Sequence, residues 1–80
     1  MILIDVLVPQ LEKVFDFEID ENIKVNDLRE YIEELIQEDQ FVKFSTRKRE
    51  LFLYRIGDFI SENVPLISQG IRNGDRLILV

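Results

Sequence analysis

The hydrophobic period of this chain changes once, and that change limits what it can fold into. From Val14 to Asp20 apolar and acidic residues alternate: Phe15, Phe17 and Ile19 fall on one face, and Asp16, Glu18 and Asp20 on the other. Strict alternation is the pattern of a strand with one face buried and one wet. From Val25 onward the period lengthens to that of a helix. Val25, Leu28, Ile32, Leu35 and Ile36 share a stripe, while Asn26, Arg29, Glu30, Glu33 and Glu34 lie off it. This predicts an amphipathic helix of roughly 12–14 residues. Lys24 or Asn26 would be its N-cap, Asp27 would favour its first turn, and it would fade between Gln37 and Gln40. One apolar helix stripe and one apolar strand face bury each other in a two-layer α+β core.

The remaining segments extend the sheet. Residues 1–8 are aliphatic and β-branched, with Ile2, Ile4, Val6 and Val8 on one side and Leu3, Asp5 and Leu7 on the other. Residues 9–13 break the run as a turn, so the chain opens with a hairpin. Leu51–Tyr54 reads as a strand, Gly57-Asp58 as a turn, and Phe59-Ile60 as a brief return strand. Residues 61–65 form a connector. Leu66 and Ile71 act as buried pins around a short turn, and Arg76–Val80 alternates as the final strand. Phe41–Ser45 fits a helix end, an extra short strand or a packed loop, and Thr46–Glu50 reads as a basic turn. The expected core is Ile2, Ile4, Val6, Phe15, Phe17, Ile19, Val25, Leu28, Ile32, Leu53, Ile60, Leu66, Ile71, Leu77 and Leu79. No repeat or linker divides the 80 residues, so one domain spans 1–80.

Composition removes several classes of chemistry. The chain has no Cys and no His, so disulfides, thiolate or imidazole metal sites and imidazole bases are out of reach. The carboxylates Asp16, Glu18, Asp20 and Glu21, and Glu33, Glu34, Glu38 and Asp39, lack the loop spacing and glycine bend of a calcium site. No nucleophile or phosphate-cradling loop accompanies them, so no catalytic residue, cofactor or metal is expected. The net charge of −6 disfavours nucleic acid and anionic lipid as partners. The start carries Asp5 and no basic flank, unlike a signal peptide. No segment approaches the ~20 apolar residues of a membrane span, so no membrane insertion and a cytoplasmic location are expected.

The order ββ-α-β-β-turn-β, with its spacing of apolar positions, resembles the ubiquitin-like β-grasp. Leu53, Gly57, Ile60, Leu66, Ile71, Leu77 and Leu79 keep that family's spacing without a gap. Phe15, Phe17, Ile19, Val25, Leu28 and Ile32 keep it upstream. The one length difference lies between Ile32 and Leu53, where this chain is longer. The resemblance implies a mixed four- to five-stranded sheet packed on one main helix. The stretch Gly70–Val80, with its Asn73-Gly74-Asp75 turn, further resembles the EsaB/YukD family, small ubiquitin-like accessory proteins of bacterial type VII secretion systems. That implies a protein-interaction module whose partners are secretion-machinery components at the membrane.

Ubiquitin-type modifiers and sulfur carriers act through a flexible tail ending in Gly-Gly, whereas this sequence reaches Val80 within its final strand. Non-covalent docking is therefore expected; the alternatives are a modifier or sulfur carrier, should such a tail follow, and an unrelated regulatory binding domain. In ubiquitin-like domains the sheet face opposite the helix carries the main protein-binding patch. By position, that face includes Tyr54, Ile78 and Val80, adjoined by Leu3 and Leu7, and it can also pair two copies of the chain. A second candidate contact is the basic stretch Arg47-Lys48-Arg49, suited to an acidic partner. Its bland reading is a solvated turn, and three cations without stacking aromatics are too few for an RNA footprint. Phe41 and Phe44 beside it read as core.

Overall fold

The computed structural model describes residues 1–80. Its elements are strand β1 (Ile2–Val8), a 3-10 turn (Pro9–Leu11), β2 (Lys13–Ile19), helix α1 (Val25–Gln40), β3 (Leu51–Leu53), β4 (Asp58–Phe59), a second 3-10 turn (Leu66–Gln69) and β5 (Arg76–Leu79). The five strands form one mixed sheet in the order β2-β1-β5-β3-β4. Neighbours are antiparallel except for the central pair, β1 and β5, which run parallel. α1 covers one face of the sheet. The fold is the expected α+β β-grasp.

Burial follows the two periods. Ile4, Val6 and Val8 of β1, Leu51 and Leu53 of β3, and Leu77 and Leu79 of β5 point under the helix. They meet Val25, Leu28, Ile32 and Ile36 of α1 in one apolar cluster, closed by Ile19, Phe44, Ile60, Leu66 and Ile71. Of the expected core, only Ile2, Phe15 and Phe17 stay half-buried, packed against its margin. No helix is long and apolar enough to cross a membrane.

α1 starts without a side-chain cap. Lys24 holds the N-cap position, and the orphan N–H groups are satisfied from far along the chain: Val25 donates to the Val64 carbonyl at 3.0 Å, and Asn26 to that of Glu62 at 2.9 Å. Asn26 uses its side chain instead to accept from Arg29 at 2.7 Å. The helix ends when Phe41 turns left-handed at φ 53°, and its N–H returns to the Gln37 carbonyl.

Residues 41–50 form a packed irregular segment. Phe44 is buried, its N–H donating to Gln37 Oε1 at 2.8 Å, and Glu50 and Val80 exchange backbone bonds at 2.8 and 3.0 Å. Phe41, expected in the core beside Phe44, is instead 95% exposed, because its left-handed backbone turns the chain off the helix's apolar stripe.

Two glycines do conformational work. Gly57 closes the β3–β4 hairpin at φ 70°, its N–H directed to the Leu53 carbonyl at 3.0 Å. Gly74, at φ 87°, donates to the Leu3 carbonyl at 2.7 Å, while the Leu3 N–H donates to Asn73 Oδ1 at 2.8 Å. The Asn73-Gly74-Asp75 corner thereby locks β1 to the start of β5. Asp75 completes it: its buried carboxylate takes a two-pronged contact from Arg55, both 2.9 Å, and the Arg72 N–H at 2.8 Å.

Candidate protein-interaction face

The face of the sheet turned away from α1 is open, and the strand register builds it. Leu7 of β1 sits opposite Val14 of β2 and beside Ile78 of β5; Ile78 sits opposite Phe52 of β3; Phe52 sits opposite Phe59 of β4. These five side chains form one apolar rung across all five strands. Phe52 and Phe59 meet edge to face, with centroids 5.3 Å apart and planes at 80°. Val14 and Phe59 are 44% and 49% exposed at the two ends, and Leu7, Ile78 and Phe52 are half-buried between them. A contiguous apolar row on a wet face makes this the candidate contact surface of the domain.

Polar rows flank the rung. On one side Asp16 faces Asp5, and Asp5 faces Arg76. Arg76 Nη2 lies 3.4 Å from Asp5 Oδ2. Tyr54 joins this side, its N–H donating to the Arg76 carbonyl at 3.1 Å and its side chain 66% exposed. Beyond it Leu3, 53% exposed, lies next to the Asn73-Gly74 corner. On the other side Val80, 37% exposed, pairs with Glu50.

The two facing carboxyls titrate apart. A hydrogen bond from Asp16 and the Arg76 charge hold Asp5 below the usual carboxylate range, while the Asp5 carboxylate pushes Asp16 above it. A group whose pKa is raised by folding favours the folded state in acid and opposes it as pH rises through the raised value. Asp16→Asn is therefore expected to raise the urea midpoint at pH 7 and leave it nearly unchanged at pH 3, where wild-type Asp16 is protonated. An equal gain at both pH values would mean that Asp5 is not the cause.

The sequence-derived candidates fall into two groups. Tyr54, Ile78 and Val80 share the open face, with Leu3 and Leu7 beside them. The basic stretch does not join them. Arg49, expected in a solvated turn, is buried at 4% exposure. Its guanidinium stacks 4.3 Å over the Phe44 ring, donates to the Ser45 and Arg47 carbonyls at 3.2 Å, and lies 3.8 Å from Glu33. Its donors satisfy carbonyls that an irregular segment cannot pair within itself. Arg49 therefore holds residues 41–50 together and is not a free contact. Lys48 leans toward the start of α1, 2.7 Å from Glu62, and Arg47 is exposed.

The contributors that sequence reasoning missed are Val14, Phe52 and Phe59. Leu51-Phe52-Leu53 is apolar at every position, so its period does not say which residue faces out. Only the register with Ile78 does.

No protein-family model matches the chain, and no curated protein matches it. Solved structures do. A ubiquitin-like domain of an Arabidopsis thaliana protein superposes with a TM-score of 0.75 at 19% identity, over 99% of this chain and 74% of that one. The UBL domain of Plasmodium falciparum Dsk2 superposes with a TM-score of 0.67 at 18% identity, over 99% of this chain and 97% of that one. Together with the mixed five-stranded sheet and its single covering helix, these likenesses establish that the chain has the ubiquitin-like β-grasp fold.

Proposed function

We propose that this chain is a protein-interaction module that docks non-covalently through its open sheet face, and that it serves as a cytosolic accessory of a type VII secretion system. The observation that carries the docking reading is the rung Val14–Leu7–Ile78–Phe52–Phe59. Aromatic and aliphatic anchors at its centre would desolvate against a partner, while Asp5, Asp16 and Arg76 along one flank set orientation. The secretion assignment rests on the resemblance of Gly70–Val80 to the EsaB/YukD family.

Recovery from detergent-solubilised cells of the source organism tests both parts, comparing wild type with Phe59→Asp and Ile78→Asp. Phe59 is half exposed at the sheet edge, so a carboxylate there leaves the core intact. Wild type is expected to retain secretion-machinery membrane components. Each variant, folded by circular dichroism, is expected to bind at least about 30-fold more weakly, the loss of one aromatic or aliphatic anchor of the rung to a buried charge. Equal recovery by folded variants would move the contact off this face. Retention of other proteins through the same face would keep the docking and remove the secretion role.

A further inference from the structure

Arg49 is a buried cation without a close anion. It is 4% exposed, yet its hydrogen bonds are long and end on neutral oxygens. Nη1 donates to the Ser45 and Arg47 carbonyls at 3.2 Å, and Nη2 to Gln10 Oε1 at 3.3 Å and Ser45 Oγ at 3.4 Å. The nearest carboxylate oxygen, Glu33 Oε1, is 3.8 Å away, beyond hydrogen-bonding distance. The other oxygen of Glu33 is taken by Arg29 at 2.8 Å. A guanidinium withdrawn from water without a close counter-charge is costly, and an anion that reaches it is favoured accordingly.

Ser45 is placed to carry that anion. It is exposed, and its hydroxyl already lies against Nη2. From Ser45 to Arg49 no residue makes a backbone–backbone hydrogen bond, so this stretch can extend into another protein's active site without breaking a ladder. Lys43, Arg47, Lys48 and Arg49 all fall within residues 43–49, with no acid among them, in a chain of net charge −6. Lys48 is held by Glu62 at 2.7 Å, whereas Arg47 is exposed. The stretch lies between α1 and β3, where this chain is longer than the ubiquitin-like pattern.

We propose that Ser45 is a phosphorylation site and that Arg49 is the built seat of its phosphate. The donor is a nucleoside triphosphate, and the catalyst is a protein kinase that reads basic residues. Ser45 Oγ bonds to the γ-phosphorus as the bond from that phosphorus to the β,γ-bridging oxygen breaks. The nucleoside diphosphate leaves, and the hydroxyl proton passes to the kinase's base. Phosphate oxygens, two bonds beyond Oγ, reach a guanidinium that already lies 3.4 Å from Oγ. Long contacts to neutral oxygens then give way to charge-assisted ones. Glu33 approaches Arg49 from Nη1, so it does not occupy the Nη2 side. Thr46 is exposed too, but it makes no hydrogen bond to a cation. Through Arg49, stacked 4.3 Å over Phe44, the phosphate pins residues 45–49 against the domain.

The test places phosphoserine at position 45 and, as a control, at position 46 of the full chain. Phosphate at 45 is expected to raise the melting temperature by at least about 4 °C above pH 7 and to slow amide exchange across residues 45–49. Phosphate at 46 is expected to give less than half that gain. Phosphorus-31 NMR needs no substitution at Arg49. It is expected to place the second ionisation of the Ser45 phosphate at least about half a unit below its value of about 6 in a free 41–50 peptide. Folding then depresses that ionisation, so the gain is full above the peptide's value and is lost as pH falls through the depressed one. In Arg49→Lys, which keeps the charge and loses the fork, the gain is read within that background and is expected to fall by half or more. Mass spectrometry of the chain from growing and stationary cells of the source organism, lysed with phosphatase inhibitors, is expected to find the phosphate on Ser45. Its absence there, or phosphate on Thr46 alone, overturns the modification. Equal gains at 45 and 46, an unshifted ionisation or an undiminished gain in Arg49→Lys overturns the seat. Inorganic phosphate at about 10 mM that stabilises the unmodified chain equally would assign the seat to a free anion and overturn the covalent reading. None of these results depends on whether the open face binds a partner.

Discussion

Leu77→Ala is expected to destabilise the fold by about 2–5 kcal/mol, the range for emptying a fully buried leucine site. Leu77 lies on the central strand, with no exposed surface, beside Val6 of β1 and Leu53 of β3. Its side chain points under α1, so truncation opens a void walled by strands on both sides and by the helix above. Strands held from both sides cannot collapse into that space, which places the cost toward the upper part of the range. A domain of this size has a total stability of roughly 4–12 kcal/mol. The variant should therefore melt at least about 10 °C lower, and its urea midpoint should fall with the slope unchanged. Val80→Ala, on the exposed side of the same segment, should change stability by no more than about 0.5 kcal/mol. A Leu77→Ala loss below about 1 kcal/mol would mean that β5 is not the centre of the core.

What the sequence disclosed, and what it withheld, divides along a physical line. Alternation in Val14–Asp20 and the helical stripe from Val25 are local patterns, and both elements form where those patterns run. The wet position of Asp5 and the buried pins Leu66 and Ile71 were legible for the same reason: a single charge, or a lone apolar residue in a polar stretch, states its own environment. Residues whose role depends on a distant partner were not legible. α1 borrows its first acceptors from Glu62 and Val64, so no capping side chain announces its start. Arg49 reads as one of three equivalent cations until Phe44 and the carbonyls of its own segment enclose it. The open apolar face was half visible. Ile78 and Val80 follow from alternation in the last strand, but Phe52, Phe59 and Val14 join them only through a register that no single segment encodes. The free edge of β2 is a property of strand order, which the hydrophobic pattern leaves open.

Asp75→Asn is expected to cost about 1.5–3 kcal/mol at neutral pH, the range for hydrogen bonds to a charged group. By sequence Asp75 is a turn residue. In the fold it is 8% exposed and accepts from Arg55 Nε and Nη2 and from the Arg72 N–H. Arg55 also donates to the Gly70 carbonyl, so one guanidinium ties the hairpin turn to both ends of the 70–75 corner. Asparagine presents one carbonyl oxygen and an amide that points donors at a donor. Arg55 is 35% exposed and is partly rehydrated when its partner is lost, which keeps the cost below that of a fully buried ion pair. The Arg55 hydrogen bonds, with the Arg72 N–H, hold the Asp75 carboxyl below its ordinary 3.8 despite burial, which acts the other way. A carboxyl whose pKa folding depresses stabilises the native state at all pH values above the ordinary one. That contribution is lost as pH falls through the depressed value. The wild-type advantage over Asp75→Asn should therefore be constant from pH 7 to about pH 5 and shrink steadily below pH 4, as read from urea midpoints across the series. Arg55→Lys, which keeps the charge but loses the fork, should reproduce part of the neutral-pH loss. A difference between wild type and Asp75→Asn that stays the same down to pH 2.5 would assign Asp75 a purely steric role and remove any charge-dependent part from its contact with Arg55.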